Sequence, residues 1–190
     1  MADKPLHVLG IAGSLRQASF NRAALRAAQE LAPPGMTIEI FDLASIPLYN
    51  EDVHEKGFPT SVVELRQKIK QADALLLATP EYNYSVPGVL KNAIDWASRP
   101  PEQPFDGKPI AIFGASPAFT GTARAQYHLR QVFIYLNGLI MNRPEVFITT
   151  AHTKFDAQGH LTDETTRGQV RGLLESLKQW TERAHRAAGK

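Results

Sequence analysis

The chain has 190 residues, 43% hydrophobic and 21% charged, which supports one substantial core and does not require a second domain. Its 21 basic and 19 acidic residues are interspersed and leave a formal charge of +2, so no basic stripe marks it for nucleic acid or anionic lipid. Lacking cysteine, it has no disulfide, thiolate nucleophile, iron–sulfur cluster or cysteine-held zinc, and with no apolar signal core in its first ten residues and no membrane-length apolar run it reads as cytoplasmic.

The first element is an apolar strand over 6–12, followed by a turn, Gly13-Ser14-Leu15-Arg16-Gln17-Ala18-Ser19-Phe20-Asn21. A helix over 20–31 carries Leu25, Ala28 and Leu31 at helical spacing and stops at Pro33-Pro34-Gly35. A second strand covers 37–41, and the connection 43–59 is long enough to suggest a functional cover. A helix over 60–71 leads to the third strand, 74–78, whose Leu75-Leu76-Leu77 run suits burial on both faces of a parallel sheet. Pro87 opens the next helix, with Leu90, Ile94 and Ala97 as its stripe, before Pro100-Pro101. A strand over 110–115, a helix over 123–136 closed by Asn137-Gly138, a strand over 146–149 and a helix over 163–187 complete the chain. Five strand–helix alternations predict a single doubly wound α/β domain over 1–190, a three-layer sandwich with right-handed crossovers. Ligands in such sheets sit beyond the carboxyl ends of the strands, so loops 13–21, 80–87 and 114–122 are the ones to examine.

The first of these loops is not a dinucleotide turn. Gly10 and Gly13 are not followed by a third glycine, and the acidic candidate Asp42 comes too late. Ser14, Arg16, Ser19 and Asn21 instead add hydroxyl, guanidinium and amide donors to the free N–H groups of a helix start. That composition suits a terminal phosphate monoester, whose exposed oxygens need more donors than a bridging diphosphate. Helix capping by Ser19 or Asn21 explains one such residue, not four. A nucleophilic Ser14 is excluded by Arg16, which stands where a nucleophile elbow needs a small residue.

In the second loop, Pro80, Glu81, Tyr82, Asn83, Tyr84 and Pro87 make a stiff segment with flat apolar faces and exposed N–H groups, suited to a planar heteroaromatic ring. Its bland alternative is a rigid strand-to-helix turn. Glu81 is expected to act through its backbone N–H rather than as a general acid.

The motifs Gly13-Ser-Leu-Arg16, Ser19-Phe-Asn21, Thr79-Pro-Glu-Tyr-Asn83 and Ser85-Val-Pro-Gly-Val-Leu-Lys-Asn-Ala-Ile-Asp-Trp96 together resemble the NAD(P)H-dependent FMN reductase family, in its quinone and chromate reductase branch. The resemblance implies a flavodoxin-like, five-stranded parallel sheet of order 2-1-3-4-5, noncovalent FMN, NAD(P)H as electron donor, and a homodimer or homotetramer. It implies that Ser14, Arg16, Ser19 and Asn21 hold the FMN phosphate beside Gly13, that Pro80 to Asn83 line the isoalloxazine, and that Ser116 and its neighbours close the third side. Tyr84 and residues 48–52 are expected to join a site shared between subunits. Where similar proteins pair two glycines, this chain has Gly121-Thr122, so Thr122 and Pro117 are expected to narrow the flavin edge or to change the nicotinamide approach.

On this reading the flavin carries the chemistry and no side chain acts as a catalytic acid or base. Hydride would pass from nicotinamide to flavin, and quinones, flavins, chromate or azo compounds would then be reduced in a second step. A flavodoxin-type electron carrier or redox sensor without turnover is the alternative; Arg16 and the near-neutral charge count against it. The six histidines show neither ligand spacing nor companion carboxylates, so no metal site is expected. A second apolar stripe through Tyr127, Ile134 and Tyr135, and another through Val89, Ala93 and Trp96, could face a partner subunit or the monomer core.

Overall fold

The computed structural model describes residues 5–189. The signal-core reading of the first ten residues therefore falls partly outside the described residues, as do both ends of the domain span. Strands β1 (Leu6–Ala12), β2 (Met36–Phe41), β3 (Ala74–Ala78) and β4 (Pro109–Ala115) run parallel in the order β2-β1-β3-β4. The fifth position is divided between β5 (Leu139–Ile140), paired to the start of β4, and β6 (Val146–Ile148), paired to its end. The observed order is thus 2-1-3-4-5, with the last strand interrupted.

Every residue of β3 and β4 is buried, as their unbroken apolar runs require. Period-two alternation divides them between two cores. Leu76 joins Val8, Phe113, Leu173 and Leu177 under α1 (Phe20–Glu30) and α6 (Glu164–Ala187). Leu75 and Leu77 join Leu65, Trp96 and Phe133 under α3 (Thr60–Gln71), α4 (Gly88–Ala97) and α5 (Ala123–Tyr135). Each such leucine contributes roughly 1.5–3 kcal/mol on burial. The stripe Val89, Ala93, Trp96 belongs to this second core, whereas Tyr127, Ile134 and Tyr135 are exposed.

The interruption of the last strand is held from α5. Gln126 Nε2 donates to the Val146 carbonyl at 3.1 Å, and Arg130 Nη1 to that of Met141 at 3.0 Å. One turn apart on the helix, the two side chains bracket the excursion over 141–146. At the end of α5 the left-handed residue is Asn137 (φ 53°), and Gly138 N–H returns to the Phe133 carbonyl in a Schellman closure.

The connection 43–59 contains a short helix, α2 (Glu51–His54), and is strapped to α4. Trp96 Nε1 and Asn92 Nδ2 donate to the Pro47 carbonyl at 2.9 and 2.8 Å, and Asn92 Oδ1 accepts from Tyr49 N–H. The expected cover is therefore a strap across α4. Pro87 is the N-cap of α4 rather than its first helical residue.

Asp163 caps α6, with one carboxylate oxygen accepting from both the Thr166 hydroxyl and N–H. The hydroxyl first, and then the N–H, holds the carboxyl below its ordinary value of 3.8. Because the folded state favours the ionised form, this cap is complete at neutral pH and is lost as pH falls through the depressed folded-state value. Amide exchange in the first turn of α6, measured across that acidic range, accelerates in the wild type beyond the intrinsic trend, and Asp163→Asn removes the added pH dependence.

Candidate functional site

The carboxyl ends of β1, β3 and β4 open into a cleft of about 320 Å³ lined by Ser14, Arg16, Ser19, Phe20, Asn21, Pro80, Glu81, Tyr82, Ala115, Ser116 and Pro117. The predicted residues Ser14, Arg16, Ser19, Asn21, Pro80, Glu81, Tyr82 and Ser116 are thus brought together, while Gly13, Asn83, Tyr84 and residues 48–52 lie outside the lining. Phe20 was not anticipated, since it carries no polar signal, whereas Ala115 and Pro117 are the neighbours of Ser116 on that side.

Gly13 is the packing floor of the first loop. A Cβ there would meet Pro87, Pro80 and Leu90 at 3.0–3.2 Å, so glycine lets the first and second loops touch. Ser19 is the N-cap of α1: its Oγ accepts from Asn21 and Arg22 N–H and retains a hydrogen to donate. Among the described residues, nothing bonds to the backbone N–H groups of residues 14–18, the Ser14 hydroxyl or the exposed Arg16 guanidinium. That unspent donor set fits a phosphate dianion at a helix start.

The Asn21 side chain is engaged with the backbone of β4. Its Nδ2 donates to the Ala115 carbonyl and its Oδ1 accepts from Ala115 N–H, both at 2.9 Å, with the residue only 3% exposed. It ties the 13–21 loop to the end of β4, a pairing across 94 positions that local sequence does not signal.

In the second loop, Tyr82-Asn83-Tyr84-Ser85 forms a two-residue reversal. Tyr82 N–H and Ser85 N–H exchange bonds with each other's carbonyls, and Asn83 (φ 49°) and Tyr84 (φ 66°) are both left-handed. Tyr82 N–H is therefore spent within the turn and unavailable to a ring, whereas the N–H groups of Glu81 and Asn83 have no partner among the described residues. The Glu81 side chain is also engaged. Its carboxylate accepts from Arg124 N–H at 3.0 Å, Ala125 N–H at 3.2 Å and Arg124 Nη1 at 3.1 Å.

The third loop corrects the expectation for Thr122. The residue is fully buried, its hydroxyl accepts from Gln126 Nε2 at 3.0 Å, and its side chain fills the space beside Gly114. It points into the core and does not narrow the cleft; Pro117 does line the edge. Ser116 Oγ accepts from Ala118 N–H and shapes the same turn.

Four of the six histidines do have companion carboxylates, contrary to expectation: His7 lies 3.0 Å from Glu39, His54 3.4 Å from Glu51, His160 3.0 Å from Asp156 and His185 3.8 Å from Asp73. These are dispersed pairs, and among the described residues no three such groups gather around a common point.

A model of the NADPH-dependent FMN reductase family matches residues 6–153. An NAD(P)H-dependent FMN reductase of Pseudomonas aeruginosa is 59% identical over 178 residues, covering 94% of this chain and 96% of the relative. A quinone reductase of Escherichia coli is 44% identical over 186 residues, covering 96% and 98%. The solved structure of FerB, a flavoenzyme NAD(P)H:(acceptor) oxidoreductase from Paracoccus denitrificans, superposes with a TM-score of 0.86 at 36% identity, covering 94% of this chain and 98% of that one. The parallel sheet, the donor-rich loop at its carboxyl edge and these matches agree: the chain belongs to the NADPH-dependent FMN reductase family.

Proposed function

We propose that this protein is an NAD(P)H-dependent flavin oxidoreductase that uses noncovalent FMN to reduce quinones and other small oxidants, among them free flavins, chromate and azo compounds, in two separate half-reactions. One observation carries the reading: the unspent donors of residues 14–18 stand before the start of α1, and Ser14 and Arg16 among them line the same cleft as Pro80, Tyr82 and Pro117. FMN held there would supply hydride acceptance from the nicotinamide and delivery of two electrons to the acceptor, with the balancing protons exchanged with solvent.

The chain's own part is to bind and orient. Ser14, Arg16 and Ser19 hold the phosphate, and Asn21 fixes their loop against β4. Pro80, Tyr82 and Pro117 flank the ring, and the free N–H groups of Glu81 and Asn83 donate to its polar edge. An open cleft imposes little shape on an acceptor, which favours a broad range of oxidants over one.

Assembly as a homodimer or homotetramer, with Tyr84 and residues 48–52 completing a partner's site, and a cytoplasmic location belong to the same proposal. Exposed apolar residues support assembly: Leu48 is 85% exposed, Phe119 89%, Ile134 76% and Tyr135 88%. Among the described residues, no helix is long and apolar enough to cross a membrane.

Anaerobic mixing tests the function. NADH or NADPH alone is expected to bleach the yellow protein, and a quinone added afterwards to restore the colour. A requirement for both substrates together would overturn the two-step scheme, and a protein that takes up no FMN would overturn the whole reading.

A further inference from the structure

The first turn of α5 is capped from another part of the chain. Thr122 occupies the N-cap position but makes no side-chain cap bond, because its hydroxyl is turned to Gln126. The donors of Arg124 and Ala125 are instead satisfied by Glu81, whose side chain is only 8% exposed. The same carboxylate holds Arg124 Nη1, and the Arg124 guanidinium lies 3.9 Å over the Tyr84 ring. Pro80 and Glu81 line the cleft, so its wall and the start of α5 share one buried anion.

We propose that Glu81 is a positioning residue for the cofactor: by capping α5 it makes the 80–85 loop and the α5 N-terminus one rigid wall, and its charge holds the flavin's reduction potential down. The proposal rests on FMN occupying the cleft. A carboxylate beside the ring opposes the added negative charge of reduction, and α5's N-terminus with Arg124 offsets that opposition only in part. Glu81→Gln keeps an oxygen for the helix and removes the charge, and Glu81→Ala removes both.

Two measurements test it. In FMN-free protein, amide exchange at Arg124 and Ala125 is expected to rise about tenfold in Glu81→Ala and less in Glu81→Gln, in line with the loss of a helix cap. In FMN-loaded protein, the two-electron midpoint potential of Glu81→Gln is expected to rise by about 30 mV, a tenfold shift in the ratio of reduced to oxidised flavin. A merely structural residue would not move the potential in that direction. Unchanged exchange in the alanine variant, or in the glutamine variant should alanine not fold, overturns the capping role. A potential unchanged or lowered in Glu81→Gln overturns the electrostatic role. A wild-type chain that binds no FMN overturns the proposed function instead, and the exchange comparison, made without FMN, still decides whether Glu81 caps the helix.

Discussion

Arg16→Ala is expected to weaken FMN binding by about 30- to 150-fold while leaving riboflavin binding unchanged. The guanidinium is exposed and makes no hydrogen bond or ion pair among the described residues, so its removal breaks none in the folded chain. Its loss removes charge-assisted bonds to the phosphate, which together are worth roughly 2–3 kcal/mol, and each ~1.4 kcal/mol is tenfold in affinity. Stability should stay within about 0.5 kcal/mol of wild type, as for a surface substitution away from any packed feature. Flavin fluorescence titration of the apoprotein with both ligands checks this. Equal losses for FMN and riboflavin would place Arg16 at the ring rather than at the phosphate.

Gly114→Ala is expected to destabilise the fold by about 3 kcal/mol or more, because the clash lies in a place that cannot relax. A Cβ at Gly114 would stand 2.1 Å from Thr122 Oγ1 and 2.2 Å from the Thr79 carbonyl oxygen. Thr122 can be trimmed, but Thr79 is fully buried and its N–H is bonded to the Phe113 carbonyl at 2.9 Å, just beyond the end of β3. Thr122→Gly added to Gly114→Ala should therefore recover only part of the loss in denaturant unfolding. Full recovery would show that Thr79 has more room than this geometry gives it. Since Ala115 and Ser116 follow directly and line the cleft, the single variant should also bind FMN more weakly.

These residues also show what the sequence made legible. The strands over 6–12 and 74–78 match the observed bounds because continuous apolar runs admit little else in a doubly wound sheet. The pair Leu139–Ile140 escaped because two residues carry no periodicity, and their place in the sheet comes from contact with Pro109 and Ile110. The helix Glu51–His54 does have a capping Asn50 and acidic Glu51 and Asp52, but four residues are too few for a pattern.

At the candidate site, the donor-rich turn over 13–21 was legible because its donors are neighbours in sequence and a helix start gathers them. Glu81 and Arg124 are 43 positions apart, so nothing local told that the carboxylate would serve α5. Thr122 looked like an obstruction at the flavin edge because its direction depends on Gly114, whose missing side chain makes the space it fills. In the second loop Glu81 and Asn83 keep N–H groups without a partner among the described residues, while the reversal at Tyr82–Ser85 consumes that of Tyr82.

The comparison of FMN with riboflavin on the wild-type apoprotein bears most directly on the polar turn at Gly13 to Asn21. The two ligands share the ring and differ in the phosphate, so their difference in affinity isolates the donors of that turn. With several charge-assisted bonds at ~1.5–3 kcal/mol each, FMN should bind at least about a thousandfold more tightly. Affinities within a few-fold of each other would contradict a phosphate seat at Ser14, Arg16 and Ser19.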